Sequence, residues 1–226
     1  MKSDLTEIAF VLDRSGSMAS IAPIAIAGFN EFLLAHQAAA GQARLTLVLF
    51  DDEYFVPAAS LPVQEVVPLD DTTYLPRNTT ALLDAIGRTV DDLGQRISKL
   101  AEADRPGAVI VAILTDGLEN ASIKYKWRDV SDKIRHQQDK YQWEFLFLGA
   151  NQDAIATAAQ LNIGHMNSAN FMPCDIDSAG GAVARRTTAS RAMRAGTASA
   201  QQVHDSRAAM QEIADDEAAK KRAAGE

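Results

Sequence analysis

The sequence predicts an α/β fold, a doubly wound, mostly parallel central sheet with helices on both faces, followed by a C-terminal helical extension. Two observations carry that prediction. Residues 8–12, 45–50, 109–114 and 145–148 are short, almost continuously apolar and bounded by polar or Gly-containing stretches, which is how strands buried on both faces read. Longer windows of helical character lie between them, so strands and helices alternate along the chain.

Taken in order, residues 22–39 form the first helical window, with Pro23 in its first turn. The segment 53–69 breaks the alternation, because Pro57, Pro62 and Pro68 limit it to an edge strand or hairpin. In the window 81–100, Leu82, Ile86, Val90, Leu93 and Ile97 recur at helical spacing and supply a buried stripe. Residues 127–141 and 153–161 read as further helices, and 167–171 as a last short strand. A helix capped by Ser178 is expected to run to Arg194. The chain thus divides into a domain over 1–196 and an extension over 197–226. The extension's helical window, 200–219, presents Val203, Met210 and Ile213 on one face, too few large apolar residues for a stable isolated helix.

Composition narrows the function. The net charge is -8, and up to and including Asp175 the chain holds 14 basic and 23 acidic residues, against 8 and 7 beyond it. Clustered Lys and Arg, which phosphate backbones require, are missing, so no nucleic-acid partner is expected. Lys2, Asp4 and Glu7 stand where a signal peptide needs an apolar stretch, and no apolar run is read as approaching the roughly 20 residues of a membrane span. Cys174 is the single cysteine, which excludes an intramolecular disulfide and a Cys-rich zinc site. The expectation is a cytoplasmic protein without a membrane partner.

In open parallel sheets, ligands collect beyond the carboxyl ends of the strands. Two strands here end in Asp: Asp13-Arg14-Ser15-Gly16-Ser17 follows the first, and Thr115-Asp116-Gly117 follows the third. A third loop, Asn78-Thr79-Thr80, precedes the helix that opens Ala81-Leu82-Leu83-Asp84. Two carboxylates and several hydroxyls are oxygen donors that suit a hard cation, Mg²⁺ with Mn²⁺ as substitute.

These residues resemble the three loops of the metal-ion-dependent adhesion site of von Willebrand factor type A domains, over about residues 5–195, including Asn30 placed after the first helix. The resemblance implies that Ser15, Ser17 and Thr80 offer hydroxyl ligands and that Asp13 and Asp116 bind directly or through water. Thr79 also carries a hydroxyl; Thr80 is favoured because the Thr-x-Leu-x-Asp-Ala pattern begins there. The resemblance further implies a protein partner whose acidic side chain completes the metal's coordination, with Asp116 withdrawing and the last helix, about 178–194, shifting as it does. Intracellular relatives act as scaffolds in multiprotein assemblies.

Blander readings exist for each feature. Ser15 and Ser17 are good helix caps, and Asp51-Asp52-Glu53 reads as a solvated acidic loop. His36, His136, His165 and His204 show no metal-ligand spacing, and Trp127 and Trp143 read as packing residues. Two other functions compete: an Mg²⁺-dependent phosphohydrolase with Asp13 as nucleophile, and a structural protein whose metal braces three loops. Against the former, Ser15 stands where haloacid-dehalogenase-type enzymes need a second Asp, and no Gly-rich phosphate loop occurs. The expectation is a binding module with no catalytic residues.

Overall fold

The computed structural model describes residues 1–149, 154–170, 176–199 and 201. Its strands are β1 Lys2–Asp13, β2 Gln42–Phe50, β3 Tyr54–Pro62, β4 Pro106–Thr115, β5 Glu144–Gly149 and β6 Ser168–Asn170. Its α-helices are α1 Ala22–Ala38, α2 Leu82–Ser98, α3 Trp127–Tyr141, α4 Ala154–Gln160 and α5 Ile176–Arg194. The strands form one sheet in the order β3-β2-β1-β4-β5-β6, parallel except where β3 runs antiparallel to β2. The fold is therefore doubly wound α/β, as the alternation predicts.

Period-two alternation along β1 divides the core between the faces. Ile8, Phe10 and Leu12 join Phe29, Phe32 and Leu33 of α1 and Val183 of α5 on one side. Ala9 and Val11 join Ile86 and Val90 of α2 and Val130 and Ile134 of α3 on the other. Burial of these side chains, each stabilising by about 1.5–3 kcal/mol when fully removed from water, fixes the register of the sheet.

Several elements differ from the sequence reading. β1 begins six residues before the apolar run because its polar start still pairs with β4, through an irregularity between Lys2 and Thr6. Glu7 sits inside it, 2% exposed, where the Arg96 guanidinium grips both carboxylate oxygens at 2.8 and 3.1 Å. β3 is the expected edge strand, and Pro57 falls where its pairing with β2 is irregular. Gly16–Ala38 is 23 residues of helix long and apolar enough to cross a membrane, contrary to the expectation that no run approaches that length. Here its apolar face, Phe29, Phe32 and Leu33, is fully buried against the sheet. Asn30 lies within α1 rather than after it, exchanging two 2.8 Å hydrogen bonds with the backbone of Leu69. α5 starts two residues before Ser178, which is therefore inside the helix and not its cap.

α5 is fastened to the end of α1. Arg191, 4% exposed, donates to the carbonyls of His36, Ala40 and Gly41 and to His36 Nδ1. Nδ1 accepts, so the proton lies on Nε2, which donates to Thr187 Oγ1 at 2.7 Å. At its own end α5 closes through Gly196 in the left-handed region (φ +71°), and the N–H groups of Thr197 and Ala198 donate to the Ala192 carbonyl. The cap thus crosses the expected boundary at residue 196. The helical window 200–219 lies outside the described residues except for Gln201.

Candidate metal centre

β1 and β4 are neighbours, and the sheet grows outward from them in both directions, so Asp13 and Asp116 stand at the switch point of the strand order. Asp13 is the last residue of β1 and Asp116 directly follows β4. Their side chains are brought together with those of both serines. Asp13 Oδ1 accepts the Ser15 N–H at 2.7 Å, Ser15 Oγ lies 3.2 Å from Ser17 Oγ, and Ser17 Oγ donates to Asp116 Oδ1 at 2.7 Å. The hydroxyls do not cap: neither the short 3-10 turn Gly16–Ile21 nor α1 receives a side-chain cap bond.

Thr80 completes the cluster. A Cβ placed on Gly117 would stand 2.8 Å from Thr80 Oγ1 and 3.4 Å from Asp13 Oδ2, so these two oxygens flank the same small space. Glycine is required there by close approach, its φ lying outside the left-handed region. Thr80 is 3% exposed whereas Thr79 is exposed, and the structure thereby separates the two hydroxyls that the sequence leaves in competition.

Rigidity comes from residues that the motif alone does not reveal. Asn120 accepts the Thr80 N–H on its side-chain oxygen at 2.9 Å, while the N–H groups of Asn120 and Ala121 donate to the Thr80 carbonyl. Glu119 accepts from the N–H groups of Leu83, Ala121 and Ser122, and Asp84 from those of Ile123, Lys124 and Tyr125. The loop after β4 is in this way sewn to the start of α2. On the other flank Asp51 is fully buried, not a solvated loop residue; it accepts from Arg77 at 2.8 Å and lies 3.2 Å from Arg14 Nε. Tyr74 caps the cluster from below, its hydroxyl donating to the Asp13 carbonyl. An exposed-looking acidic run gives no sign of such burial, and Tyr74 lies 61 residues from its partner, so neither was legible in local pattern.

Asp13 is wholly buried, and among the described residues no Lys, Arg or His pairs with it, since Arg14 turns to Asp51. Burial pushes its carboxyl up to about 6, against the opposing hydrogen bonds from Thr115 Oγ1 (2.5 Å) and Ser15 and with a smaller push from Asp116. Burial likewise raises Asp116, opposed by the Ser17 hydroxyl. A cluster of carboxylate and hydroxyl oxygens that is costly to ionise fits a hard divalent cation. Among the described residues no group of three or more His, Cys, Asp or Glu gathers to hold a metal ion, so a cation here would depend on the hydroxyl oxygens as well as the two carboxylates.

A doubly wound sheet with an oxygen-donor cluster at its switch point defines the class, an α/β domain with a strand-end ligand site. The solved structures narrow it. The chain is similar to proximal thread matrix protein 1 of the mussel byssus (12% identity, TM-score 0.57, 81% of this chain and 46% of that one), which has also been solved with a zinc-occupied MIDAS motif (14%, 0.57, 81% and 46%). It is similar too to the von Willebrand factor type A protein from Catenulispora acidiphila (13%, 0.52, 81% and 43%) and to the manganese-loaded TRAP protein of Plasmodium vivax (12%, 0.51, 76% and 70%). The chain has the von Willebrand factor type A fold. It spans a little under half the length of the first two proteins. No protein-family model matches the sequence, and no curated protein matches it.

Proposed function

We propose that this domain is a metal-dependent protein-binding module that engages an acidic residue of a partner through one divalent cation, Mg²⁺ or its substitute Mn²⁺. The observation that carries the reading is the convergence of three separate loops on one small space, with Ser15, Ser17 and Asp116 hydrogen-bonded in series and Thr80 Oγ1 and Asp13 Oδ2 both beside Gly117. Ser15, Ser17 and Thr80 would hold the cation by their hydroxyls, and Asp13 and Asp116 would balance its charge. Once bound, the cation supplies a Lewis-acidic position for an incoming carboxylate.

The chain's own residues do the rest. Asn120, Glu119 and Asp84 hold Thr80 and the loop after β4 in place, while Asp51 with Arg77 and Arg14 holds the loops on the other side. The metal-occupied neighbours support the general reading; the partner and the preference for Mg²⁺ are our inference. The cytoplasmic placement is supported by the lone Cys174, which leaves no intramolecular disulfide to form, and the scaffold-type role by the family resemblance alone. No catalytic role is assigned, because among the described residues no nucleophile, base and orienting group come together at Asp13. Calorimetry tests the assignment: one Mn²⁺ should bind per chain, and the folded Asp13→Ala, Asp116→Ala double variant should lose it. Equal affinity in both proteins would sink the assignment, and turnover of a phosphate ester that vanishes in Asp13→Asn would replace it with hydrolysis.

A further inference from the structure

At the opposite end of the sheet, where β4 starts and α2 and α3 end, lies a cavity of about 480 Å³, within the range of small-molecule sites. Its floor is apolar, with Val109 and Trp143 buried and Ile97 of α2 beside them. Its rim carries Arg105, Lys140 and Arg194, and among the described residues no Asp or Glu lines it, in a chain whose net charge is -8. Among the described residues none of these three cations is paired with a carboxylate, whereas others in the same chain, such as Arg96 and Lys133, are.

The two arginines are held in position by neutral acceptors instead. Arg105 donates to the carbonyls of Leu100 and Ser98 at 3.2 and 3.3 Å, and Arg194 donates to the Gln142 side chain and carbonyl at 3.1 and 2.8 Å. Those carbonyls belong to helix ends, which raises the question of whether the helices already neutralise the rim. Each helix C-terminus is equivalent to about -0.5 charge, so the ends of α2, α3 and α5 together contribute roughly -1.5 against three permanent positive charges. The mouth therefore stays net positive over an apolar floor. Because the guanidinium groups are already fixed, little side-chain freedom is lost when an anion arrives.

We propose that this cavity binds a small organic anion with an apolar, aromatic body, its acidic head on the rim cations and its body against Val109, Ile97 and Trp143. The site is independent of the metal centre, which lies beyond the other ends of the same strands. The test uses 8-anilinonaphthalene-1-sulfonate as probe on the full chain, followed by fluorescence. Gly94→Leu fills the cavity from α2: a Cβ there meets only Gln137 Nε2, at an ordinary 3.6 Å, and replacing a helical glycine favours the helix. Lys140→Glu with Arg194→Glu reverses the rim at two exposed positions.

The expected result is saturable binding of one probe per chain, weakened at least tenfold by either variant, with circular dichroism and Mn²⁺ binding unchanged. The uncharged N-phenyl-1-naphthylamine should bind at least tenfold more weakly than the sulfonate. Probe binding insensitive to both variants, or equal binding of the uncharged amine, would overturn the proposal. So would binding at this site by an acidic peptide with the sulfonate excluded, since the occupant would then be a protein segment. If Gly94→Leu fails to fold, the rim variant alone decides the matter.

Discussion

Replacing Gly117 by Ala places a methyl group 2.8 Å from Thr80 Oγ1, 3.3 Å from Thr80 Cγ2 and 3.4 Å from Asp13 Oδ2. A contact of 2.8 Å is shorter than side chains tolerate, so the hydroxyl must recede by several tenths of an ångström or the loop must move. Thr80 is poorly able to yield, because its N–H and carbonyl are both tied to the 120–121 segment. Overpacking of this kind costs about 1–3 kcal/mol. If Thr80 holds its place, the cost falls on folding, and a domain of this size loses roughly 2–4 °C of melting temperature per kcal/mol. If Thr80 turns away, the cost falls on metal binding, where the same energy corresponds to an affinity loss of about 5- to 150-fold. The two losses, measured by thermal melting without metal and by Mn²⁺ calorimetry, should together account for about 1–3 kcal/mol. An Ala variant that keeps both its melting temperature and its Mn²⁺ affinity would refute the convergence of Thr80 and Asp13 on this glycine.

Thr80→Val should abolish or severely weaken Mn²⁺ binding while Thr79→Val leaves it within a factor of about two, corresponding to no more than about 0.4 kcal/mol; the opposite ranking in calorimetry would assign the hydroxyl to Thr79. Arg96→Met leaves the buried Glu7 carboxylate without its guanidinium and should destabilise the fold by about 3–5 kcal/mol in urea melts, a loss of under 1 kcal/mol counting against the pair. Burial, and secondarily the charge of Arg191, lowers His36 from the ordinary 6.5 to about 3; its contribution to stability is therefore full above pH 6.5 and declines as pH falls toward 3, by about 2 kcal/mol at pH 5, partly offset in the metal-free protein by Asp13, whose raised carboxyl favours the fold as pH falls through 6. His36→Gln should flatten that slope, and identical slopes in urea melts at pH 7 and 5 would remove His36 as its source. Truncation after Gly196 deletes the two N–H groups that cap Ala192 and should cost about 1 kcal/mol, or roughly 2–4 °C, with Mn²⁺ affinity unchanged; a much larger drop would make the extension part of the core.

The legible part of the fold was the part written in continuous apolar runs and helical stripes. The window 127–141 coincides with α3, and those at 22–39 and 81–100 lie within two residues of α1 and α2. Such segments are locally consistent, their pattern and their burial pointing the same way. What escaped was structure set by distant partners. Residues 2–7 form the start of β1 although three of them are charged, because Arg96, 89 residues from Glu7, makes a buried carboxylate tolerable there. Asp51 escaped for the same reason, its burial depending on Arg77 and Arg14. Local pattern carries no record of a charge that is neutralised from another element.

The candidate site is set apart in a different way, through the kind of partner each acid keeps in the structure. Asp84 and Glu119 accept mostly from backbone N–H groups, and an amide nitrogen that has donated its hydrogen has no lone pair to give a cation. Those acids are braces, and a metal ion arriving there would have to break the loop. Asp13 and Asp116 accept from backbone N–H groups as well, but each also accepts from a hydroxyl, that of Thr115 or Ser17, and a hydroxyl that donates still has lone pairs free. Turning the Ser17 hydroxyl away from Asp116 exposes an oxygen without moving any backbone atom. The same rotation is open to Ser15, whose hydroxyl faces Ser17 and whose N–H remains on Asp13. Carboxylate count therefore does not distinguish the site from its surroundings in so acidic a chain. The interleaving of serine and threonine with two strand-end aspartates does, because the hydroxyl groups of Ser15, Ser17 and Thr80 gather there around two carboxylates and can turn without moving the backbone.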